Sequence, residues 1–340
     1  MASSPSRVIV ITGGSSGIGR CTAALFARRG WRVGLIARGE TGLRAAAEDI
    51  RAAGGHVATA SADVADADAL QQAADQLARE LGPPEVWINA AAAGFYARFM
   101  DMTETEYRRV MDVTFMGTVH GTRAALAAMT PRGRGSVINV ASALGFRAVP
   151  LQSAYCAAKF AMRGFTEAVR SELIHDRSPI HLGIVHPPSV NTPFFSHAGM
   201  RMTGVHANHN PAPPPPVYAP EVIAEGIWLA VSERRRELRI TGASVQLTWM
   251  NRLMPRVFDQ LAARIGMAAQ MTPRAAVAAV RDPSLFDAPR LPSPMAGPFK
   301  SVARTHSTQM WAQRHRLSLG LAAVGLAFAL RPRFLRQRRS

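Results

Sequence analysis

The sequence predicts an α/β protein with a doubly wound parallel sheet and a helical extension at its C-terminus. Short, continuously apolar runs alternate with helical segments, and a glycine-rich turn directly follows the first run. Apolar runs that are too short for helices are typical of strands buried on both faces. We therefore expect helices to cover both faces of one parallel sheet.

Each element follows from this alternation. We predict strands over residues 8–12, 32–37, 56–61, 86–89, 136–141, 181–186 and, at the edge of the sheet, 238–241. Helices are predicted over residues 20–29, 43–53, 67–81, 103–129, 154–175 and 220–232. Pro220 favours the start of the last helix, because proline fits the first helical turn.

Four regions are expected along the 340 residues. Residues 1–250 should form the main domain, and within it residues 193–219, which include a run of four prolines, should form a loop over the substrate pocket. Residues 251–281 are predicted to be a helical extension. Residues 282–316 are predicted to be a proline-rich, basic linker, and residues 317–340 an apolar segment with a basic tail.

The positive charge indicates which partners to consider. The net charge is +17, and no Asp or Glu follows Ala288. No zinc-finger spacing, basic zipper or RNA-binding signature accompanies this charge, so nucleic acid is not the expected partner. The uncharged residues 317–330 would span roughly 21 Å as a helix, less than the roughly 30 Å of a bilayer core. We expect either a shallow anchor on an anionic membrane surface, or a buried or oligomer-packing helix.

The compartment is indicated by the cysteines and the N-terminus. Cys21 and Cys156 fall in predicted helices and do not indicate a disulfide framework. The apolar run at residues 8–11 is too short for a signal peptide. We expect a cytoplasmic main domain, which associates with a membrane if residues 317–340 act as an anchor.

The turn after the first strand has the composition of a dinucleotide-binding site. Gly13, Gly17 and Gly19 occur where the backbone must turn sharply from a strand into a helix. Side chains there would obstruct a pyrophosphate, whose negative charge the helix N-terminus favours. The predicted cofactor residues of this turn are Thr12, Gly13, Ser15, Ser16, Gly17, Ile18 and Gly19.

Three polar residues are candidates for catalysis. Tyr155 and Lys159 are four residues apart on a predicted helix, so their side chains project from one face. An acid or base that works near neutral pH needs the phenol pKa, ordinarily about 10, to be lowered, and a lysine supplies the cation. Ser142 follows a predicted strand, at the edge where ligands collect in open sheets.

Together with the glycine turn, these three residues make residues 7–242 resemble the short-chain dehydrogenase/reductase family. The resemblance implies a Rossmann fold and a nicotinamide-dependent oxidoreductase. It implies that Tyr155 exchanges a proton with the substrate oxygen during hydride transfer, that Lys159 lowers the tyrosine pKa and binds the nicotinamide ribose, and that Ser142 hydrogen-bonds the reacting oxygen. Dimers or tetramers are usual in this family, so the resemblance allows a homo-oligomer.

The same resemblance implies further cofactor contacts. Asp63 and Val64 correspond to the adenine-contacting pair. Asn89, Ala90 and Ala91 correspond to the segment after the fourth strand. Pro187, Val190 and Thr192 belong to the segment that holds the nicotinamide carboxamide. Two positions depart from the family pattern. Ala91 replaces a usual glycine, and Thr114 replaces an asparagine thought to hold a water in the proton relay. A threonine hydroxyl also donates and accepts but is shorter, so we expect slower activity or a differently held water.

The residues beside the predicted cofactor favour NADP(H) over NAD(H). A carboxylate after the second strand would bind the ribose hydroxyls and repel a 2′-phosphate, whereas arginine would attract it. Here Arg38 ends the second strand and Arg20 follows the glycine turn. The alternative is that both arginines are surface residues.

The loop over the pocket indicates the substrate class. Phe194, Phe195, Met200 and Met202 could line an apolar pocket, so the leading hypothesis is a reductase or dehydrogenase for a small apolar carbonyl or secondary alcohol. Because of Thr114, the alternative is a catalytically weak NADP(H)-binding scaffold or redox-sensing protein. The histidines of the loop lack carboxylate or cysteine partners at ligand spacing, so no metal site is expected.

Overall fold

Seven parallel strands form the central sheet of the computed structural model, which describes residues 7–202, 208–273, 282–291, 293–316, 318–319 and 321–322. Together with the strands of smaller sheets, the described strands in chain order are β1 (Val8–Thr12), β2 (Arg32–Ala37), β3 (Val57–Ser61), β4 (Val86–Asn89), β5 (Phe95–Ala97), β6 (Ser136–Val140), β7 (His181–His186), β8 (Ser189–Val190), β9 (Gly199–Arg201), β10 (His209–Pro211), β11 (Val217–Tyr218), β12 (Glu237–Arg239), β13 (Met271–Pro273) and β14 (Ala303–Arg304). The helices are α1 (Gly17–Arg28), α2 (Glu40–Ala52), α3 (Ala67–Leu81), α4 (Glu104–Met111), α5 (Gly117–Met129), α6 (Ser153–His175), α7 (Phe194–His197), α8 (Pro220–Ser232), α9 (Gly242–Leu253), α10 (Pro255–Ile265) and α11 (Thr308–Arg314).

The order of strands in the central sheet is β12-β7-β6-β4-β1-β2-β3, and every pair is parallel. From β1 the chain moves outward through β2 and β3, then returns to the other side of β1 as β4. Ile9 of β1 accordingly pairs with Val33 on one side and with Val86 on the other. The predicted doubly wound fold is confirmed, and the β1–β4 boundary is its switch point, where ligands bind in such sheets.

The core lies in two layers because successive side chains of a strand point to opposite faces. Val8 and Val10 pack in one layer with Leu77 of α3, whereas Ile9 and Ile11 pack in the other. All four β1 side chains are at most 3% exposed. Truncating one such side chain to alanine typically costs about 2–5 kcal/mol. This double burial explains why the strands appear in the sequence as continuous apolar runs.

The predicted helix over residues 103–129 is continuous but changes its winding in the middle. Thr103 and Glu106 form a capping box at the start of α4. Residues Asp112–Met116 then form one π-helical turn before α5 begins. Such turns inside α-helices are frequent at functional sites. This turn carries Thr114.

The C-terminal part of the chain differs from the sequence-based expectation. Helix α9 starts at Gly242, within the expected main domain. Residues 282–316 were expected to be a linker, but their described part packs on the main domain. Strand β14 pairs with β11, and Met310 of α11 is buried in the core. Gln309 also donates to the carbonyl of Arg239. Proline-rich composition predicted the lack of long elements but carried no information on docking.

Among the described helices, none has the length and apolar character needed to cross a bilayer. The predicted anchor and tail at residues 317–340 lie outside the described residues, apart from residues 318–319 and 321–322.

Candidate active site

A cavity of about 590 Å³ opens at the carboxyl edge of the sheet, at the switch point between β1 and β4. Its volume is typical of small-molecule and cofactor sites. One end is lined by the glycine turn between β1 and α1, and the other by Ser142, Tyr155 and Lys159. The sheet therefore brings the predicted cofactor loop and the predicted catalytic residues to one cavity.

The glycine turn packs tightly against neighbouring backbone at the edge of the cavity. Gly13 has a φ of +70°, and a Cβ there would lie 2.7 Å from the amide nitrogen of Ala91. Its own amide donates to the carbonyl of Ile36 at 2.8 Å. Residues 17–19 open helix α1 and line the cavity, so the positive end of the helix dipole faces it. These features fit a pyrophosphate, and the site residues therefore fit a dinucleotide cofactor.

The phenol of Tyr155 lies beside Ser142. Ser142 follows β6, and its hydroxyl accepts a hydrogen bond from the amide of Leu144 at 3.1 Å. Burial raises the pKa of the Tyr155 phenol above its ordinary value of 10, and a side-chain hydrogen bond with Ser142 partly opposes this. In the described structure Tyr155 thus holds its proton at neutral pH.

Lys159 is 2% exposed, and its Nζ donates to the carbonyl of Val140 at 2.7 Å. Its Nζ lies 5.5 Å from the centroid of the Tyr155 ring. Burial lowers the pKa of Lys159 to about 7. We expected this lysine to lower the tyrosine pKa, but in this arrangement its ammonium points to Val140, and burial determines the pKa of both groups.

Four predicted site residues are absent from the described lining of the cavity, namely Thr12, Arg20, Asn89 and Thr114. The hydroxyl of Thr114 accepts from the amide of Ala93 at 3.0 Å and donates to its carbonyl at 3.2 Å. Thr114 therefore fixes the segment after β4 instead of facing the cavity. Thr12 has a related role, since its hydroxyl accepts from the amide of Ala90.

Asn89 belongs to a buried polar network below the cavity. Its amide nitrogen donates to Asn139 Oδ1 at 2.9 Å and to Thr122 Oγ1 at 3.1 Å, and its carbonyl oxygen accepts from Trp87 at 2.8 Å. Asn139 in turn donates to Thr166 on α6 at 2.9 Å. Buried polar groups are costly unless paired, so this network ties β4 and β6 to α5 and α6.

The two arginines expected to attract a 2′-phosphate already have partners in the chain. Arg38 lines the cavity, and its guanidinium donates to backbone carbonyls of residues 284–286. Arg20 donates to Asp49 at 2.6 Å and to the carbonyl of Ser293 at 2.7 Å. Asp63, the expected adenine contact, forms an ion pair with Arg109 and also lines the cavity, next to Val64.

The segment after β7 forms one wall of the cavity. Its lining residues include the predicted Pro187, Val190 and Thr192. The carbonyl of Pro187 accepts from the amide of Ala143 at 2.8 Å, and β8 pairs with β11 through Val190. These bonds fix the wall next to Ser142.

The far end of the cavity is mostly apolar. Tyr96, Phe194, Phe195, Met250 and Phe258 line it. Phe194 packs against Tyr155, with their ring centroids 5.3 Å apart. Phe194 and Phe195 were predicted from the sequence, whereas Met250 and Phe258 belong to α9 and α10 and carried no recognisable signal.

Two buried glutamines at this end were also missed. Gln152 donates to Gln270 at 2.6 Å, and Gln270 donates to the carbonyls of Pro150 and Gly266. Both glutamines are at most 4% exposed and line the cavity. Their 118-residue separation left no pattern to find. Across the described part of the chain, the structure also contains no group of three or more candidate metal ligands.

Comparisons with known proteins agree with this geometry. Residues 7–201 match the family model for short chain dehydrogenases. An uncharacterized oxidoreductase of Bacillus subtilis, YxnA, is 34% identical over 260 residues, which cover 76% of this chain and 72% of the relative.

Two solved structures are similar as well. The actinorhodin polyketide ketoreductase with NADPH has a TM-score of 0.62 at 25% identity, over 73% of this chain and 99% of that chain. A short chain dehydrogenase/reductase from Burkholderia phymatum in complex with NAD has a TM-score of 0.66 at 23% identity, over 76% of this chain and 97% of that chain, and supports the fold alone. The family model spans the glycine turn, Ser142, Tyr155 and Lys159. The protein therefore belongs to the short-chain dehydrogenase family of oxidoreductases.

Proposed function

We propose that the protein is an NADP(H)-dependent oxidoreductase that interconverts an apolar carbonyl compound and its secondary alcohol, with Tyr155 as the general acid and base. The observation that carries this proposal is that Ser142, Tyr155 and Lys159 line the same cavity as the glycine turn. A scaffold protein has no need for this combination. The nicotinamide would supply or accept the hydride when bound.

The side chains have distinct roles in the proposed reduction. The Tyr155 hydroxyl donates its proton to the substrate oxygen, and its raised pKa keeps that proton available at neutral pH. Ser142 donates a hydrogen bond to the same oxygen and stabilises the charge that develops there. Burial lowers the pKa of Lys159 to about 7, so this residue can hold or release a proton near neutral pH and would help to return a proton toward Tyr155. In the oxidation direction each proton moves the other way.

The proposed preference for NADP(H) rests on the charges near β2. That strand ends in Ala37, followed by Arg38 and Gly39, so the position carries no carboxylate to repel a 2′-phosphate. The similar polyketide ketoreductase was solved with NADPH, which is consistent with the proposal but does not decide it.

The proposed substrate class rests on the apolar end of the cavity. Helices α9 and α10, which contribute Met250 and Phe258 to the cavity lining, also expose four apolar side chains, each at least 44% accessible, namely Trp249, Leu253, Val257 and Leu261. Exposed apolar patches commonly mark surfaces that meet hydrophobic ligands, proteins or membranes. We therefore favour a substrate that partitions out of water, held in orientation by the Gln152–Gln270 pair. Contact with an anionic membrane through residues 317–340 would suit such a substrate.

The decisive experiment measures NADPH consumption by the full chain against ketones and aldehydes of graded hydrophobicity, with calorimetric NADPH binding in parallel. We expect turnover that rises with the apolar surface of the carbonyl compound. Binding without any turnover would favour the NADP(H)-binding scaffold, which the position of Thr114 allows. Absence of NADPH binding would refute the proposed function.

A further inference from the structure

Residues 282–291 and 293–299, here called the strap, contact Arg38 at the end of β2 and Gly17 of the glycine turn, and contribute to the lining of the cavity. The amide of Ser284 donates to the carbonyl of His197 at 2.9 Å, and the amide of Gly297 donates to the carbonyl of Asn191 at 3.1 Å. The side chain of Asn191 also accepts from the amide of Phe299 at 2.9 Å. The strap is therefore fixed to the expected nicotinamide segment and to the chain that follows it.

The middle of the strap holds Arg38. The guanidinium donates to the carbonyls of Ser284 at 2.5 Å, Phe286 at 2.9 Å and Leu285 at 3.2 Å. Arg109, the partner of Asp63, donates to the Leu285 carbonyl as well, at 3.0 Å. Three oxygens with partial negative charge thus converge on the guanidinium that stands at the end of β2.

Two further strap carbonyls reach the glycine turn. The amide of Gly17 donates to Pro294 at 3.3 Å, and Arg20 donates to Ser293 at 2.7 Å. In the described part of the strap, the hydrogen-bond acceptors of Arg38, Arg20 and Gly17 are main-chain oxygens, and the Asp287 carboxylate adds an electrostatic attraction to Arg38. The same donors are suited to phosphate oxygens, which carry full charge and form stronger hydrogen bonds.

Among the strap residues that bond Arg38, one side chain packs in the hydrophobic core. Leu285 is 6% exposed and packs in the hydrophobic core, and it carries one of the carbonyls on Arg38. Leu291, in contrast, is 56% exposed and has no described bond to Arg38. Ser284, Leu285 and Pro289 also line the cavity, so the strap is part of its wall.

We propose that the strap determines coenzyme choice, because its main-chain carbonyls and a 2′-phosphate compete for Arg38. This inference rests on the proposed function. The pyrophosphate, which both dinucleotides carry, competes with Pro294 for the Gly17 amide and so does not distinguish them, whereas NADH lacks the 2′-phosphate that would compete with residues 284–286 for Arg38. NADPH binds when residues 284–286 move away from Arg38, since a phosphate cannot share the guanidinium with three carbonyl oxygens without electrostatic repulsion. Loosening the strap therefore favours NADPH specifically.

The test compares Leu285→Asn with Leu291→Asn, the same substitution at a buried and an exposed strap position. Binding of NADPH and of NADH to each full-length chain is measured by calorimetry without substrate. We expect Leu285→Asn to raise the ratio of NADPH to NADH affinity at least fivefold and Leu291→Asn to leave it unchanged. An unchanged ratio in Leu285→Asn, or a shift toward NADH, would overturn the proposal.

A second measurement covers the case in which Leu285→Asn does not fold. Arg290 is exposed, and its amide is bonded within the strap to Asp282 Oδ2 at 2.7 Å. Saturating NADPH should speed tryptic cleavage after Arg290 in the unaltered chain at least threefold more than saturating NADH does. Equal protection by both dinucleotides would refute strap displacement. If neither dinucleotide binds the unaltered chain, the proposed function itself fails, which separates the two results.

Discussion

Lys159 should leave a measurable signature in the pH dependence of stability. Its pKa is lowered by burial from 10.5 to about 7. Between these values the unfolded chain binds a proton that the folded chain has released, so this residue makes the unfolding free energy rise with pH. At about 1.4 kcal/mol per pH unit, the whole window corresponds to about 5 kcal/mol. From about pH 7.5 to about pH 9.5, the contribution should be about 2–3 kcal/mol.

The assay compares the unaltered chain with Lys159→Met in urea unfolding at these two pH values, with turnover measured alongside. Lys159 and Lys300 are the two lysines of the chain, and Lys300 is exposed, so Lys300→Met is the matched control. Burial raises the pKa of Cys21 and Cys156 to about 12 and about 11, which produces the opposite pH dependence in all three forms. The difference in unfolding free energy between the forms therefore isolates the contribution of Lys159.

We expect the unaltered chain to gain about 2–3 kcal/mol relative to Lys159→Met between the two pH values, while Lys300→Met parallels the unaltered chain. If the difference between the unaltered chain and Lys159→Met stays constant with pH, Lys159 is charged in the folded chain and the reasoning from burial is wrong.

Three further predictions follow from the site and the tail. Tyr155→Phe should reduce turnover about 10²–10⁴-fold and leave calorimetric cofactor affinity unchanged, whereas Tyr107→Phe should change neither; substantial turnover by Tyr155→Phe would exclude its acid–base role. Thr114→Val should lower the free energy of unfolding in urea by about 1–3 kcal/mol, because the bonds to Ala93 are lost. Thr114→Ser keeps a hydroxyl and should retain most of that stability, so equal stability of the two variants would contradict this reasoning. Removal of residues 317–340 should release the chain from anionic vesicles, and unchanged sedimentation with vesicles would exclude the anchor.

The parts of the fold that the sequence predicted are those governed by local physics. Strands buried on both faces appear as apolar runs, and the switch point follows from the order of strands and helices. The glycine turn and the Tyr155–Lys159 pair were recognisable because their geometry is set within a few residues. These predictions required no knowledge of distant contacts.

The parts that were not predictable depend on chain segments far apart in sequence. Nothing near Arg38 indicates that its partners lie 246–248 residues away. The pairing of Gln152 with Gln270 is similarly remote. The resemblance predicted a role for Thr114 in the proton relay, whereas its hydroxyl is bonded to the backbone of Ala93, a contact that the sequence did not indicate. Docking of residues 282–316 depends on tertiary packing that composition does not encode.

The contact between the strap and Arg38 also has an evolutionary consequence. Since every residue type offers the same peptide oxygen, substitutions along residues 284–286 can accumulate without erasing the acceptors that face the guanidinium. Insertions or deletions would shift those oxygens out of place at once. Selection on this contact would therefore act on segment length and on the buried leucine, and a motif search that scores side-chain identity would overlook it.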